Sequence, residues 1–156
     1  MPDRAWIEAN IPHKGGMCLL DAVLEWDGGH IVCRSSTHRT PDNPLRAEGK
    51  LAAVCGIEYA AQAMAVHGAL VTARYRGIPA AGYLASVRNV QFHIAELDTV
   101  TADLVVRGER IAGDSRSMLY EFSLSGAGQV LLSGRASIVL DDSPVAGSFK
   151  ATGQQQ

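Results

Sequence analysis

Between Leu51 and Val71 the chain carries only Glu58, Gln62 and His67 as strongly polar side chains, over a length that would cross a bilayer. A membrane span is the wrong reading of it. An acidic residue near the middle of a spanning helix is costly, no lysine-rich flank sets an orientation, and the stretch is built from Ala and Gly instead of Leu and Ile. A helix that is apolar nearly all round is instead wrapped by protein, and small side chains let a sheet come close. The rest of the chain must therefore supply a sheet to cover it.

Strand signals lie on both sides of the helix. Cys18 to Trp26 reads as a strand, Asp27-Gly28-Gly29 as a tight hairpin turn using the positive φ open to glycine, and His30 to Thr37 as the returning strand. The stretch from Arg39 to Lys50 has two prolines and a glycine and reads as an irregular connection. After Arg74 to Pro79 come Gly82 to His93, Val100 to Ile111, and Ser117 to Leu140, the last divided into a hairpin at Ser125-Gly126-Ala127-Gly128. Apolar residues recur at every second position in Thr99 to Val106 and Met118 to Leu124, as on a sheet with one buried face. A hairpin, a long helix and then four antiparallel strands form an α+β order, not a βαβ alternation.

With 156 residues there is room for one domain, expected over 1–140, followed by a tail from Asp141 to Gln156 whose low apolar content predicts disorder. Hydrophobic residues make up 47% and charged residues 19%, the ordinary globular balance, which excludes collagen-like and disulfide-scaffold chains. A net charge of −2 with scattered Lys and Arg gives no basic stripe, so nucleic acid is not an expected partner. Cys18, Cys33 and Cys55 form no CxxC pair, and MPDRAWIEAN lacks the apolar core of a secretory signal, which points to the reducing cytoplasm.

Among the polar residues Glu58 is the most informative. Flanked at helical spacing by Val54, Cys55, Ala61 and Ala65, its carboxylate must either emerge into a cavity or shift its pKa upward; the alternative, an exposed stripe shared with Gln62, is disfavoured because the rest of the helix has no solvated face. An acid of that kind, paired with a histidine base, suits proton abstraction beside a carbonyl and loss of a β-hydroxyl. Five histidines compete. His67 is half a helical revolution from Glu58, His30 follows the glycine turn and is expected to be exposed, and His93 and His38 end strands. His13, between the stiffening Pro12 and the permissive Gly15-Gly16, is the favoured partner. Gly56 has two readings: it admits a substrate oxygen to backbone N–H groups at the helix start, or it allows strand–helix packing. No GxGxxG, P-loop, HExxH, GxSxG or zinc-ligand spacing occurs, so no dinucleotide, phosphoryl-transfer, metal or serine-hydrolase site is expected.

Ile11-Pro12-His13-Lys14-Gly15-Gly16-Met17 with Leu19-Leu20-Asp21, then Gly56-Ile57-Glu58-Tyr59-Ala60-Ala61-Gln62-Ala63, resemble the predicted 3-hydroxyacyl dehydratases of the aryl-polyene type that act on acyl carrier protein. The likeness runs from about Ile11 to Leu140 and includes Gly82-Tyr83-Leu84-Ala85-Ser86-Val87-Arg88. It implies a hot-dog fold, an antiparallel sheet wrapped around one central helix, and dimers with themselves or with a homologous subunit. It also implies a thioester substrate delivered on the phosphopantetheine arm of an acyl carrier protein, with no cofactor held by the protein itself. By the same resemblance Glu58 protonates the leaving hydroxyl, His13 takes the α-proton, and Gly56, Gln62, Tyr83 and Leu84 bind substrate. One departure stands out. Fatty-acid dehydratases of this fold carry their histidine in Gly-His-Phe-Pro before the helix, where this chain reads Asn43-Pro44-Leu45-Arg46. A hot-dog thioesterase and a non-catalytic dehydratase-like partner subunit are the alternatives.

Overall fold

The computed structural model describes residues 1–75, 81–114 and 116–141. Six strands form one antiparallel sheet: β1 (Ala22–Trp26), β2 (His30–Ser35), β3 (Ala81–Phe92), β4 (Leu104–Gly113), β5 (Ser117–Gly126) and β6 (Gln129–Asp141). Their spatial order is β1-β2-β4-β5-β6-β3, so β1 and β3 are the two edges. A short helix, α1 (Arg4–Asn10), precedes the sheet, and the long helix, α2 (Gly56–Tyr75), lies across its inner face. This is the wrapped-helix α+β architecture that the resemblance implied. The expected tail begins at Asp141, which is the last residue of β6; the remainder of the tail lies outside the described residues.

Strand alternation sets which face is wet. In β4 and β5, Leu104, Val106, Tyr120, Phe122 and Leu124 are buried, while Val105, Arg107 and Glu121 point outward and are exposed. Tyr59, Ala60, Ala63, Met64, Val66 and Leu70 of α2 join those inward residues in one core with Ile31, Cys33 and Leu132. Each large side chain fully buried there contributes roughly 1.5–3 kcal/mol. The helix from Ala53 to Tyr75 does pass the length test for a membrane span, with a mean hydropathy of 1.2, yet half of it is buried within the chain's own fold. The other side is more open than the sequence implied. Ile57, Ala61, Ala65, Gly68, Ala69 and Thr72 are only half-buried and Val54 is exposed, so α2 keeps an apolar stripe that its own sheet leaves uncovered.

Gly56 shows how close helix and sheet come. A Cβ there would sit 2.7 Å from Leu132 Cδ2 and 3.1 Å from Leu124 Cδ2. Its own N–H bonds back to the carbonyls of Ala53 and Val54. Of the two readings of Gly56, the structure therefore carries the packing one.

Four local expectations need correction. The β1–β2 turn does not use positive φ at Gly28 or Gly29; the Asp27 carboxylate instead accepts from the N–H groups of Gly29 (2.7 Å) and His30 (2.9 Å). Cys18 to Asp21 are not ladder strand. They are a buried approach segment whose carbonyls are taken by side chains, because three consecutive buried residues cannot alternate faces. His30 is not freely exposed but lies between Glu25 and Asp27, 2.8 Å from each. The sequence reading also missed α1, although Asp3 caps Trp6 N–H and the buried Ile7 and Ile11 sit four residues apart. The β5–β6 hairpin falls within the expected Ser125 to Gly128 stretch, with Ala127 and Gly128 both at positive φ.

Two buried histidines are structural. His67 Nε2 donates to the Asp27 carbonyl at 2.7 Å, which leaves Nδ1 to accept from Tyr120 Oη, also at 2.7 Å. His38 Nε2 donates to the Val100 carbonyl at 3.0 Å. Burial holds both below the usual histidine range and pushes Tyr120 up to about 12. The unfolded chain binds protons that these buried rings refuse, so their contribution to stability falls as the pH drops below about 6.5. His30, raised first by Glu25 and then by Asp27, acts in the opposite sense, stabilising at low pH, but lies near the surface where screening weakens it. The urea midpoint is therefore expected to be lower at about pH 5.5 than at about pH 7.5, with a smaller difference in His67→Gln. Gly56→Ala should lose roughly 1–3 kcal/mol through overpacking, read from the same midpoint at unchanged slope.

Candidate active site

Glu58 lies in the first turn of α2, on the flank beside the uncovered stripe. Of the two outcomes expected for its carboxylate, the structure shows emergence: the side chain is 35% exposed. His13 Nε2 stands 3.0 Å from Glu58 Oε2, with the ring 28% exposed. The two residues favoured as an acid–base pair thus lie side by side, both partly exposed, brought together from the N-terminal loop and the central helix.

Local chemistry fixes the His13 loop. Lys14 Nζ donates to the carbonyls of Glu8 and Ile11, and Gly15 N–H donates to Glu8 Oε2 at 2.6 Å. Gly15 sits at φ 56°, a left-handed conformation that glycine adopts without a Cβ penalty. Arg4 reaches the Cys18 carbonyl at 2.6 Å and Asp21 Oδ1 at 3.3 Å, which ties α1 to the approach segment. A Cβ on Gly16 would lie 3.9 Å from Pro44, so the loop that lacks a histidine runs beside the one that carries His13.

Gln62, one turn beyond Glu58, is fully buried. Its Oε1 accepts from Leu19 N–H at 2.9 Å, and its Nε2 donates to the Met17 carbonyl at 2.8 Å and to Glu58 Oε2 at 3.2 Å. The expectation of Gln62 as a substrate contact needs revising, because both amide hydrogens are spent inside the protein. It joins the His13 loop to the helix and orients the carboxylate. A second buried network does the same for the loop before the helix: Tyr59 Oη bonds Thr37 Oγ1 at 2.8 Å and accepts from Asn43 Nδ2 at 3.0 Å. Sequence reasoning passed over Tyr59, Thr37 and Asn43, although a tyrosine on an otherwise apolar helix face signals a polar partner for its hydroxyl.

Tyr83 and Leu84 lie elsewhere, on the edge strand β3, 56% and 41% exposed. The sheet puts β3 at the opposite edge from β1, into which the His13 segment leads. Of the competing histidines, His38 and His67 are tied into the core, His30 is tied to the β1–β2 hairpin, and His93 is exposed. Among the described residues no group of three or more His, Cys, Asp or Glu is placed to hold a metal ion.

The sequence matches the ApeP-like family, described as ApeP dehydratase, over residues 5–147. Among solved structures, the dehydratase heterocomplex ApeI:P from Xenorhabdus doucetiae contains a chain that superposes with a TM-score of 0.77 at 22% identity, covering 87% of this chain and 91% of that one. A mutant thioesterase from Pseudomonas aeruginosa gives a TM-score of 0.61 at 16% identity over 90% and 94% of the two chains. A hypothetical thioesterase with coenzyme A from Streptococcus pneumoniae gives 0.57 at 12% identity over 76% and 84%. At these identities the structural likenesses establish the hot-dog fold. A search of curated proteins finds no match.

Removing the Gln62 amide leaves the buried Leu19 N–H without an acceptor and frees the loop. Gln62→Ala should cost roughly 1–3 kcal/mol in chemical denaturation, more than an exposed helical glutamine would.

Proposed function

The chain belongs to the ApeP-like dehydratase family, and from that premise we propose that it removes water from a 3-hydroxyacyl thioester held on an acyl carrier protein. The product is the trans-2-enoyl thioester, in a fatty-acid-like or polyene pathway of the cytoplasm. The observation that carries the reading is the 3.0 Å contact between His13 and Glu58 at the mouth of the helix. Elimination next to a thioester carbonyl needs one group to take the α-proton and a proton for the departing hydroxyl, and a carboxylate in contact with an imidazole can handle both. The phosphopantetheine arm belongs to the substrate, so the protein needs no cofactor of its own.

Two uncovered surfaces support a dimer. The twelve residues of β3 form a sheet edge with Tyr83, Leu84 and Phe92 exposed, and α2 carries an apolar stripe that its own sheet does not cover. Edges and stripes of this kind are covered in stable proteins. We assign them to a second hot-dog subunit, a copy of this chain or a homologue, which would bring Tyr83 and Leu84 to the wall of an acyl tunnel. The Xenorhabdus doucetiae relative is part of a dehydratase heterocomplex, which favours a mixed dimer.

Mass spectrometry of a 3-hydroxyacyl carrier protein incubated with the purified chain should show loss of one water. Glu58→Gln should abolish that loss while leaving the oligomer intact on size exclusion. Hydrolysis to the free acid would identify a thioesterase instead. Activity that appears only when a homologous subunit is added would make this chain half of an obligate pair.

A further inference from the structure

The loop that carries His13 is held by α1 as well as by the central helix. Gly15 to Leu20 precede the first strand, so their backbone groups have to be partnered one at a time. From the helix side Gln62 takes the Met17 carbonyl and the Leu19 N–H, and from β2 and the turn after it Ser35 and Thr37 take the Leu19 carbonyl. The carbonyls of Gly15, Cys18 and Leu20 go to one side chain, Arg4. Its Nη2 donates to Gly15 at 3.3 Å and to Cys18 at 2.6 Å, and its Nη1 donates to Leu20 at 3.4 Å and to Asp21 Oδ1 at 3.3 Å. Those two nitrogens carry four hydrogens, and each has an acceptor here.

One turn later α1 reaches the loop again. Glu8 Oε2 accepts from Gly15 N–H at 2.6 Å, while Lys14 Nζ returns to the carbonyls of Glu8 and Ile11. Ile11, which closes α1, is buried in the core. His13 is therefore suspended between two points that α1 holds, Ile11 before it and Gly15 after it. The helix is itself anchored, because Ile7 is fully buried and Val23 N–H donates to the Pro2 carbonyl. Glu58 is bonded by Gln62 and lies beside His13, so what Arg4 does for that pair it does through the loop.

We infer that Arg4 is a positioning residue for the proposed acid–base pair: by gathering the Gly15, Cys18 and Leu20 carbonyls it sets where the loop holds His13 against Glu58. The inference rests on the dehydration proposed above. A misplacement of about 1 Å in a reacting group slows turnover by roughly 10²-fold, and a loop with no strand ladder gains that freedom once the arginine is gone. Arg34 is the matching control. It is 41% exposed against 38% for Arg4 and also lies beside Asp21, at 3.7 Å, but its second partner is Asp103 at 3.6 Å instead of the loop carbonyls.

Turnover of a 3-hydroxyacyl carrier protein by the full chain, with the homologous subunit where turnover requires it, gives the first test. Arg4→Met keeps the apolar stem and removes the donors, and should lower kcat roughly 10- to 100-fold with KM within about twofold of wild type. In a His13→Ala background, itself roughly 10²-fold slower, adding Arg4→Met should slow turnover less than about twofold further, because the arginine has nothing left to place. Losses that multiply in full, or an Arg34→Met chain as slow as Arg4→Met, overturn the proposal, since the arginine would then serve the fold or the charge on Asp21. Glu8→Ala removes only the acceptor of Gly15 N–H and should give the same non-additive pattern on a smaller scale, which decides the matter should Arg4→Met fail to fold.

Backbone amide exchange reads the clamp with no reaction involved. Across Gly15 to Leu20 it should be at least about tenfold faster in Arg4→Met than in wild type and unchanged in Arg34→Met. Unchanged exchange in Arg4→Met overturns the clamp whatever the chemistry. Faster exchange there, in a chain that releases no water from the carrier-bound substrate, keeps the clamp and removes the dehydratase reading alone.

Discussion

The buried amide of Gln62 ties three otherwise separate parts of this molecule together. The loop that delivers His13 has no ladder partner over Cys18 to Leu20, so its backbone must find bonds elsewhere, and Gln62 satisfies two of its groups from inside the helix. The same side chain turns toward Glu58 and sets the direction of the bond there. An amide is suited to this work because it carries a donor and an acceptor at once and remains uncharged. A carboxylate in its place would repel both Glu58 and the Met17 carbonyl. Buried polar groups stabilise only when fully partnered, which makes this position sensitive to change.

Around that clamp, small side chains bring helix and sheet together. Gly56, Ala60 and Ala63 let α2 settle on Leu124, Leu132 and their neighbours, while Arg74 lies 4.2 Å over the Trp26 ring and fastens the far end of the helix to β1. One side of the helix is used up in this way. The other side, lined by Ile57, Ala61, Ala65 and Thr72, is left half-covered, and Glu58 lies at its border.

Much of the fold was legible in the chain. The helix announced itself by composition, and the four later strands by alternation and by the glycine hairpin at Ala127-Gly128. Two residues of the candidate site, which the fold brings within 3.0 Å of each other, stood out in the sequence as well, because a lone carboxylate on an apolar helix and a histidine between proline and glycines are both unusual. The misses have local causes. At Asp27 a side chain made the turn that glycine φ was expected to make. The segment from Cys18 to Asp21 looked like strand because it is mostly apolar, but the carbonyls of Cys18, Leu19 and Leu20 are taken by side chains. Helix α1 is a single short amphipathic stretch whose two buried isoleucines stand out only once they have something to pack against.

Hydropathy patterning is a property of neighbours along the chain, so the sequence alone determined that a long apolar helix would be wrapped by antiparallel strands, and that Glu58 would be the exceptional group on it. The direction of a hydrogen bond depends on which groups long-range packing brings within about 3 Å of each other. Only the tertiary structure could therefore decide that Gln62 spends its amide on Leu19, Met17 and Glu58 instead of on substrate, and that Gly56 serves close packing. It alone could place His13 against Glu58, because the two residues are separated by β1, β2 and the loop after them and meet only when the sheet folds around the helix.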